Sequence, residues 1–289
     1  MLAIVGIVIV IGAVFGGYVA AGGKFGVILH ALPFELTMIG GAAIGAFLIG
    51  NSMSIVKQTA RDMGRAFKGA RWKKEDYNDL LALLFSLTAL AQNDPLGLEA
   101  AIEDPSGSPL FNRYPRIVAD HHAVDMICDT LRSSSMNLND PHQVEDMLEK
   151  QLDAHLHHNQ MGAHALQNMA DGLPALGIVA AVLGIIKTMS AIDKPPTVLG
   201  GMIGGALVGT FLGVFLAYGF VGPLAARIGA VVDEEQRFYQ LIRDVLIANL
   251  HRHAPNMCVE VARQNAPHDL RPSFVDLDAA LKVLRKEAA

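Results

Sequence analysis

The chain has 289 residues, 52% of them hydrophobic and 18% charged, with a formal net charge of −5 and a mean hydropathy of +0.34. That balance excludes a protein that lives wholly in water, and the two cysteines, Cys128 and Cys258, lie far apart in segments expected to be cytoplasmic, so no disulfide framework is expected.

The hydrophobicity is concentrated. Residues 1–23 carry no charge, residues 33–56 only Glu35, and residues 172–186 and 195–226 none. Each stretch reaches the roughly 17 to 25 residues that a helix needs to cross a bilayer core, the third by placing Lys187 at its end, where it can snorkel. The first stretch lacks a basic leader region and a small-residue cleavage pattern, so it is expected to be retained. The sequence therefore predicts an all-α membrane protein with four transmembrane helices and a helical cytoplasmic domain inserted between the second and third.

Orientation follows from lysine and arginine, which favour the cytoplasmic side. Lys57, Arg61, Arg65, Lys68, Arg71, Lys73 and Lys74 crowd the flank after the second span against only Asp62 and Glu75, whereas the two opposite turns offer Lys24, and Asp193 with Lys194. Both termini are then cytoplasmic. The domains are 1–51 (spans one and two), 52–171 (cytoplasmic), 172–226 (spans three and four) and 227–289 (cytoplasmic helical tail). Juxtamembrane topology accounts for the basic run without a nucleic acid.

The inserted domain reads as helical, with apolar residues at helical spacing in Leu80, Leu81, Leu83, Leu84 and Leu87, and again in Ile117, Val118, Val124, Ile127 and Leu131. Breaks are predicted at Asn93-Asp94-Pro95, from Asp104 to Pro109, and at Asn139-Asp140-Pro141. A tail helix from Asp233 to about His253 is expected to continue the fourth span, and a short one to follow Arg271-Pro272-Ser273. Between Asp76 and Asp153 stand 14 acidic residues against Arg113, Arg116, Arg132 and Lys150, an acidic surface able to steer a basic partner.

Within the spans the sequence places no ionisable group at mid-membrane, with Glu35 at the outer end of the second helix and Lys187 at the outer end of the third. If the protein conducts ions, a partner must then supply the carboxylate. Gly201, Gly205, Gly209, Gly213 and Ala217 recur every four residues along the fourth span, with Gly177, Ala181 and Ala180, Gly184 on the third. This is a close-packing stripe, read as favouring a crowded ring of subunits over packing within one chain. Pro174 at the start of the third helix and Pro223 at the end of the fourth each remove a backbone donor. Thr210 and Tyr218 between them can hydrogen-bond water or a partner's carboxyl. His157 with His164, and His121 with Asp125, could share a helix face, but neither pair has a third metal ligand. No phosphate loop, serine–histidine pair or pair of catalytic carboxylates is present, so no enzyme and no cofactor is expected.

Several longer motifs carry a resemblance. Val14-Phe15-Gly16-Gly17-Tyr18, Asp79-Leu80-Leu81-Ala82-Leu83-Leu84, Tyr114-Pro115-Arg116, Leu173-Pro174-Ala175, Val208-Gly209-Thr210-Phe211-Leu212-Gly213, Leu216-Ala217-Tyr218-Gly219-Phe220 and Arg271-Pro272-Ser273-Phe274 follow one another in the order of the MotA family of flagellar stator subunits, which the chain resembles over nearly its full length. The resemblance implies a homopentameric ring in the bacterial inner membrane around a dimer of a MotB-like single-span partner, whose aspartate binds the proton. It also implies torque on the rotor protein FliG. It sets Pro174, Ala181, Thr210, Tyr218 and Pro223 along the ion path and its coupling. Ala181 stands where sodium-driven relatives carry a threonine, and an alanine has no oxygen for sodium, so the proton is the expected coupling ion. Of the family's rotor-facing pair, Glu99 is kept while Ala91 replaces the arginine, which leaves Glu99, Arg113 and Arg116 as rotor-interface candidates. Two alternatives remain at this point. An ExbB- or TolQ-like channel subunit has a single helix before its cytoplasmic domain, and a stand-alone transporter requires a buried charge or broken helices.

Overall fold

The computed structural model describes residues 2–135 and 140–288, so Asn139 of the third expected break lies outside the described residues. Among them there is no strand. The helices are α1 (Leu2–Ala20), α2 (Phe25–Gly50), α3 (Met53–Lys68), α4 (Lys74–Asn93), α5 (Pro95–Glu103), α6 (Pro109–Asn112), α7 (Pro115–Val118), α8 (His121–Ser135), α9 (Pro141–Met189), α10 (Pro196–Leu250), α11 (Pro255–Asn265) and α12 (Phe274–Ala288). Helices α1, α2, α9 and α10 are long and apolar enough to cross a membrane. Contacts divide the chain into two units: residues up to Gly69 with Asn159–Val232, and Ala70–His158 with the segment from Asp233. Residues 52–69 and 159–171, assigned to the inserted domain by charge, thus pack with the spans.

In the first unit Gly22, at φ +83°, turns the chain between α1 and α2, a conformation that a Cβ would strain. Helix α1 buries no residue against the chain, and Phe15 meets Phe25, Phe211 and Phe215. The core of the spans is Ile39, Ala43, Leu173, Ala180, Leu212 and Ala217. Backbones come close where side chains are smallest. A Cβ on Gly213 would lie 2.7 Å from the Leu173 carbonyl oxygen and 2.8 Å from Gly177 Cα, and one on Gly184 would lie 2.6 Å from Ala206 Cβ. Two members of the stripe, Gly209 and Gly213, therefore pack α10 on α9 within one chain, and Gly205 faces Ala31 of α2, so these contacts serve the chain's own helices where the sequence reading favoured neighbouring subunits; Gly201 faces open space.

Two π-helical turns interrupt the spans, Leu36–Gly40 in α2 and Ala217–Val221 in α10. The first follows Pro33, and the second contains the Gly219 carbonyl that Pro223, lacking an N–H, leaves without its regular partner. Pro174 does not start a helix, as expected from sequence, but lies inside α9, which already begins at Pro141. Outside the spans, α3 begins at Ser52, whose Oγ accepts the Ile55 N–H at 3.5 Å, and ends at Gly69, where φ is +85°. It is tied down by Thr59 Oγ1 and Gln58 Nε2, which donate to the carbonyls of Gly162 and Asn159.

In the second unit, Leu80, Leu81, Leu83, Leu84 and Leu87 of α4 are fully buried, and Trp72 stacks on Phe238 at 3.9 Å. Turn chemistry sets the start at Asp94 as read from sequence, where its side chain accepts the Gly97 N–H at 3.1 Å. A break the sequence reading did not place divides the run from Ile117 to Leu131, where Asp120 accepts the Ala123 N–H at 3.0 Å to begin α8. Buried Asp120 also receives Arg71 at 2.6 Å and the Tyr239 hydroxyl at 3.1 Å, while buried Asp76 pairs with Arg116 at 2.7 Å. The tail helix continues α10 to Leu250, and Ser273 Oγ caps α12 by accepting the Asp276 N–H. Helix α11, absent from the sequence reading, buries Cys258, Val259 and Ala262. Both cysteines are free and buried, and burial pushes each thiol up to about 11.

Candidate ion-path site

The spans bring the expected ion-path residues to one region of α9 and α10 but not onto one surface. A Cβ on Gly209 would lie 3.3 Å from Ala180 Cβ, so the pairs Ala180-Ala181 and Gly209-Thr210 stand at one level. Ala181 is buried and Thr210 half-buried. Tyr218, within the second π turn, is 72% exposed, and Pro223 is exposed beyond it. Pro174 is half-buried beside Leu173, whose carbonyl approaches Gly213.

Glu35 overturns the expectation that it stands at the outer end of the second helix. It closes an 11-residue α-helical stretch of α2, which at 1.5 Å per residue places it about 15 Å along the helix from Phe25. It is 5% exposed, its Oε2 has no hydrogen-bond partner among the described residues, and a Cβ on Gly209 would lie 2.6 Å from that oxygen. The carboxyl therefore occupies the Ala180 and Gly209 level. Sequence reasoning misplaced it by starting the second span at Pro33. The signal was the apolar run from Phe25 to Leu32, which carries the helix through the proline.

The rotor-interface candidates lie in the second unit. Glu99 on α5 and Arg113 after α6 are exposed, and Glu99 lines a cavity of about 490 Å³ with Ala91, the residue at the family's arginine position. Arg116 is held in the fold by Asp76 and by its hydrogen bond to the Arg71 carbonyl at 3.0 Å. Among the described residues no group of three or more potential ligands could hold a metal ion. The histidines that do meet are His122 and His155, stacked at 3.7 Å beside Tyr239. Burial lowers the basicity of both, bringing His155 down to about 4 with help from the neighbouring His122.

Four apolar helices, two preceding the inserted domain, and a buried carboxyl beside glycine-packed spans define an all-α multi-pass membrane protein. Residues 4–95 match the family model for the motility protein A N-terminal region, and residues 120–240 match that of the MotA/TolQ/ExbB proton channel family. The chain is 39% identical to motility protein A of Salmonella typhimurium, covering 99% of this chain and 96% of the relative, and 37% identical to that of Escherichia coli over the same shares. Chemotaxis protein LafT of Vibrio parahaemolyticus is 33% identical, with 94% and 95% covered. In fold the chain is similar to MotAB of C. jejuni (TM-score 0.72, 19% identity, 94% of this chain and 98% of that chain). It is also similar to the flagellar MotAB stator complex of Bacillus subtilis (TM-score 0.66, 23% identity, 89% and 92%). The chain belongs to the motility protein A family.

Proposed function

We propose that this chain is the ring-forming subunit of a flagellar stator that conducts protons across the inner membrane and converts their flow into torque. Family membership over the whole chain carries this reading. The apolar faces left open on the spans support it, among them Ile178, Val179 and Val182 on α9 and Leu207 and Val214 on α10, which need neighbours or lipid. Five copies surround a MotB-like partner whose single span brings the proton-binding aspartate, and the MotAB complexes of the similar structures favour such a partner. Ala181 offers no side-chain oxygen to sodium, and Pro174, Thr210, Tyr218 and Pro223 line or couple the path. Domains 52–171 and 227–289 face the cytoplasm with both termini. Glu99 and Arg113 present charges to the rotor protein FliG, while Arg116 is engaged by Asp76.

Reconstitution into liposomes tests this. The chain alone passes neither proton nor sodium, and addition of the MotB-like partner starts proton flux that is unchanged when sodium replaces potassium. Proton conduction without the partner would remove the stator reading, and sodium dependence would remove the ion assignment.

A further inference from the structure

Glu35 is not used by that function, yet its setting is expensive. A carboxylate withdrawn from water without a counter-charge or hydrogen-bond donor is strongly disfavoured in a low-dielectric interior, so a group kept there serves to bind something. Three features define what it binds. The free oxygen, Oε2, lies against Gly209, the one residue type whose missing side chain admits it, and Gly209 adjoins Thr210. The adjoining π turn, Leu36–Gly40, is a local departure of the kind that recurs at functional positions in helices.

The third feature is an open cavity of about 680 Å³, lined by His30, Phe34 and Glu35 of α2, Lys187 and Thr188 of α9, and Gly205 of α10 among others. Besides Glu35, its titratable groups are His30 from α2 and Lys187 from α9, and α10 contributes none. A metal cation would need several oxygen ligands, and the side chains lining the cavity offer oxygen only from Glu35 and Thr188. The Lys187 ammonium further repels a fixed cation. A proton needs only the one carboxyl oxygen.

We propose that Glu35 is a proton-binding site carried by this chain itself, loaded from the His30 cavity and placed to exchange with the Thr210 layer. One proton passes from a hydronium ion in the cavity onto Glu35 Oε2, the hydronium O–H breaking as the carboxyl O–H forms, and it leaves by the reverse exchange with a water molecule. The inference rests on the proton-driven reading above and adds a second site on the ring to the one on the partner.

The test uses the full chain with its single-span partner in liposomes, following proton flux with an entrapped pH dye and assembly by gel filtration. Glu35→Gln is expected to assemble and to lower flux by about 100-fold, the lower end of what a positioned proton-transfer group contributes, while Glu35→Asp keeps a measurable fraction. In parallel, the chain alone in nanodiscs gives an infrared protonated-carboxyl band that titrates with pH, shifts in Glu35→Asp and vanishes in Glu35→Gln. Flux in an assembled Glu35→Gln complex equal to that of the unsubstituted complex overturns the proposal, as does a carboxyl spectrum that none of the substitutions alters. If the unsubstituted complex itself fails to conduct, the stator reading falls and the infrared titration still decides Glu35.

Discussion

Gly213 and Gly201 stand on the same helix and differ in what a methyl group would meet. At Gly213 it would run into the backbone of α9, at 2.7 Å from the Leu173 oxygen and 2.8 Å from Gly177 Cα, atoms that cannot rotate away. At Gly201 nothing lies within 4 Å. Gly213→Ala is therefore expected to destabilise the chain by about 1 to 3 kcal/mol through overpacking. Gly201→Ala should leave thermal unfolding of the purified chain unchanged or slightly raised, and equal midpoints for the two variants would refute the contact.

The period of four was legible in sequence, but its partner was not, because small residues serve a helix of the same chain and one of a neighbour alike. Glu35 was legible as a residue and misread in depth. The stacked histidines were missed for another reason: His122 and His155 come from separate helices, and nothing local marks their meeting.

That stack has a sign-determined pH dependence. His155 titrates at about 4 in the fold against 6.5 for an ordinary histidine, so between those values the unfolded chain binds a proton that the folded chain refuses. Stability from this site is complete above pH 6.5 and is lost as pH falls towards 4, with a slope of at most about 1.4 kcal/mol per pH unit for one proton. Thermal unfolding at pH 7.5 and pH 5 should show a smaller drop in His155→Phe than in the unsubstituted chain. An identical drop would assign the acid sensitivity elsewhere.

At the scale of elements, the helix breaks were readable where a side chain and a proline act together, as at Asp94-Pro95 and Asp104. The continuation of the fourth span into the tail was readable too, and α10 runs to Leu250. The start of the third span's helix was not: α9 begins at Pro141, because the polar segment before its apolar run is itself a good helix former with an apolar face. Helix α11 escaped notice because its buried residues, Cys258, Val259 and Ala262, are few and set among polar ones.

Charge pairs that join elements were invisible for a similar reason: Arg116 was read as a surface charge, whereas it holds α7 to α4 through Asp76. Removing it leaves a buried carboxylate with one fewer partner. Since the arginine itself is half exposed and water screens the pair, Arg116→Ala is expected to cost about 1 to 2 kcal/mol rather than the full penalty of a buried pair. Glu99→Ala and Arg113→Ala should stay within about 0.5 kcal/mol of the unsubstituted chain. Swimming speed measured alongside unfolding then separates the roles. Slower swimming at unchanged stability marks a rotor contact, and slower swimming with a lowered midpoint in Arg116→Ala reports the fold.

For the molecule as a whole, four spans and a large inserted helical domain followed from hydrophobicity and charge alone. Which spans touch which did not, since apolar residues facing lipid and facing another helix look the same in sequence. The structure separates them by exposure: Ala180, Leu212 and Ala217 are interior, while Ile178, Val182 and Leu207 stay about half or more exposed. If a ring of copies covers this second set, a bulkier side chain there should spare the single chain and disturb only the assembly, because in the isolated chain it projects into lipid. Ile178→Trp, Val182→Trp and Leu207→Trp are each expected to leave thermal unfolding of the monomer unaltered. At least one should shift the assembled mass, read by native mass spectrometry of the complex with its partner, from a ring towards single subunits. Normal assembly of all three would place these faces against lipid and require the ring contacts to run through α1, which buries nothing within its own chain.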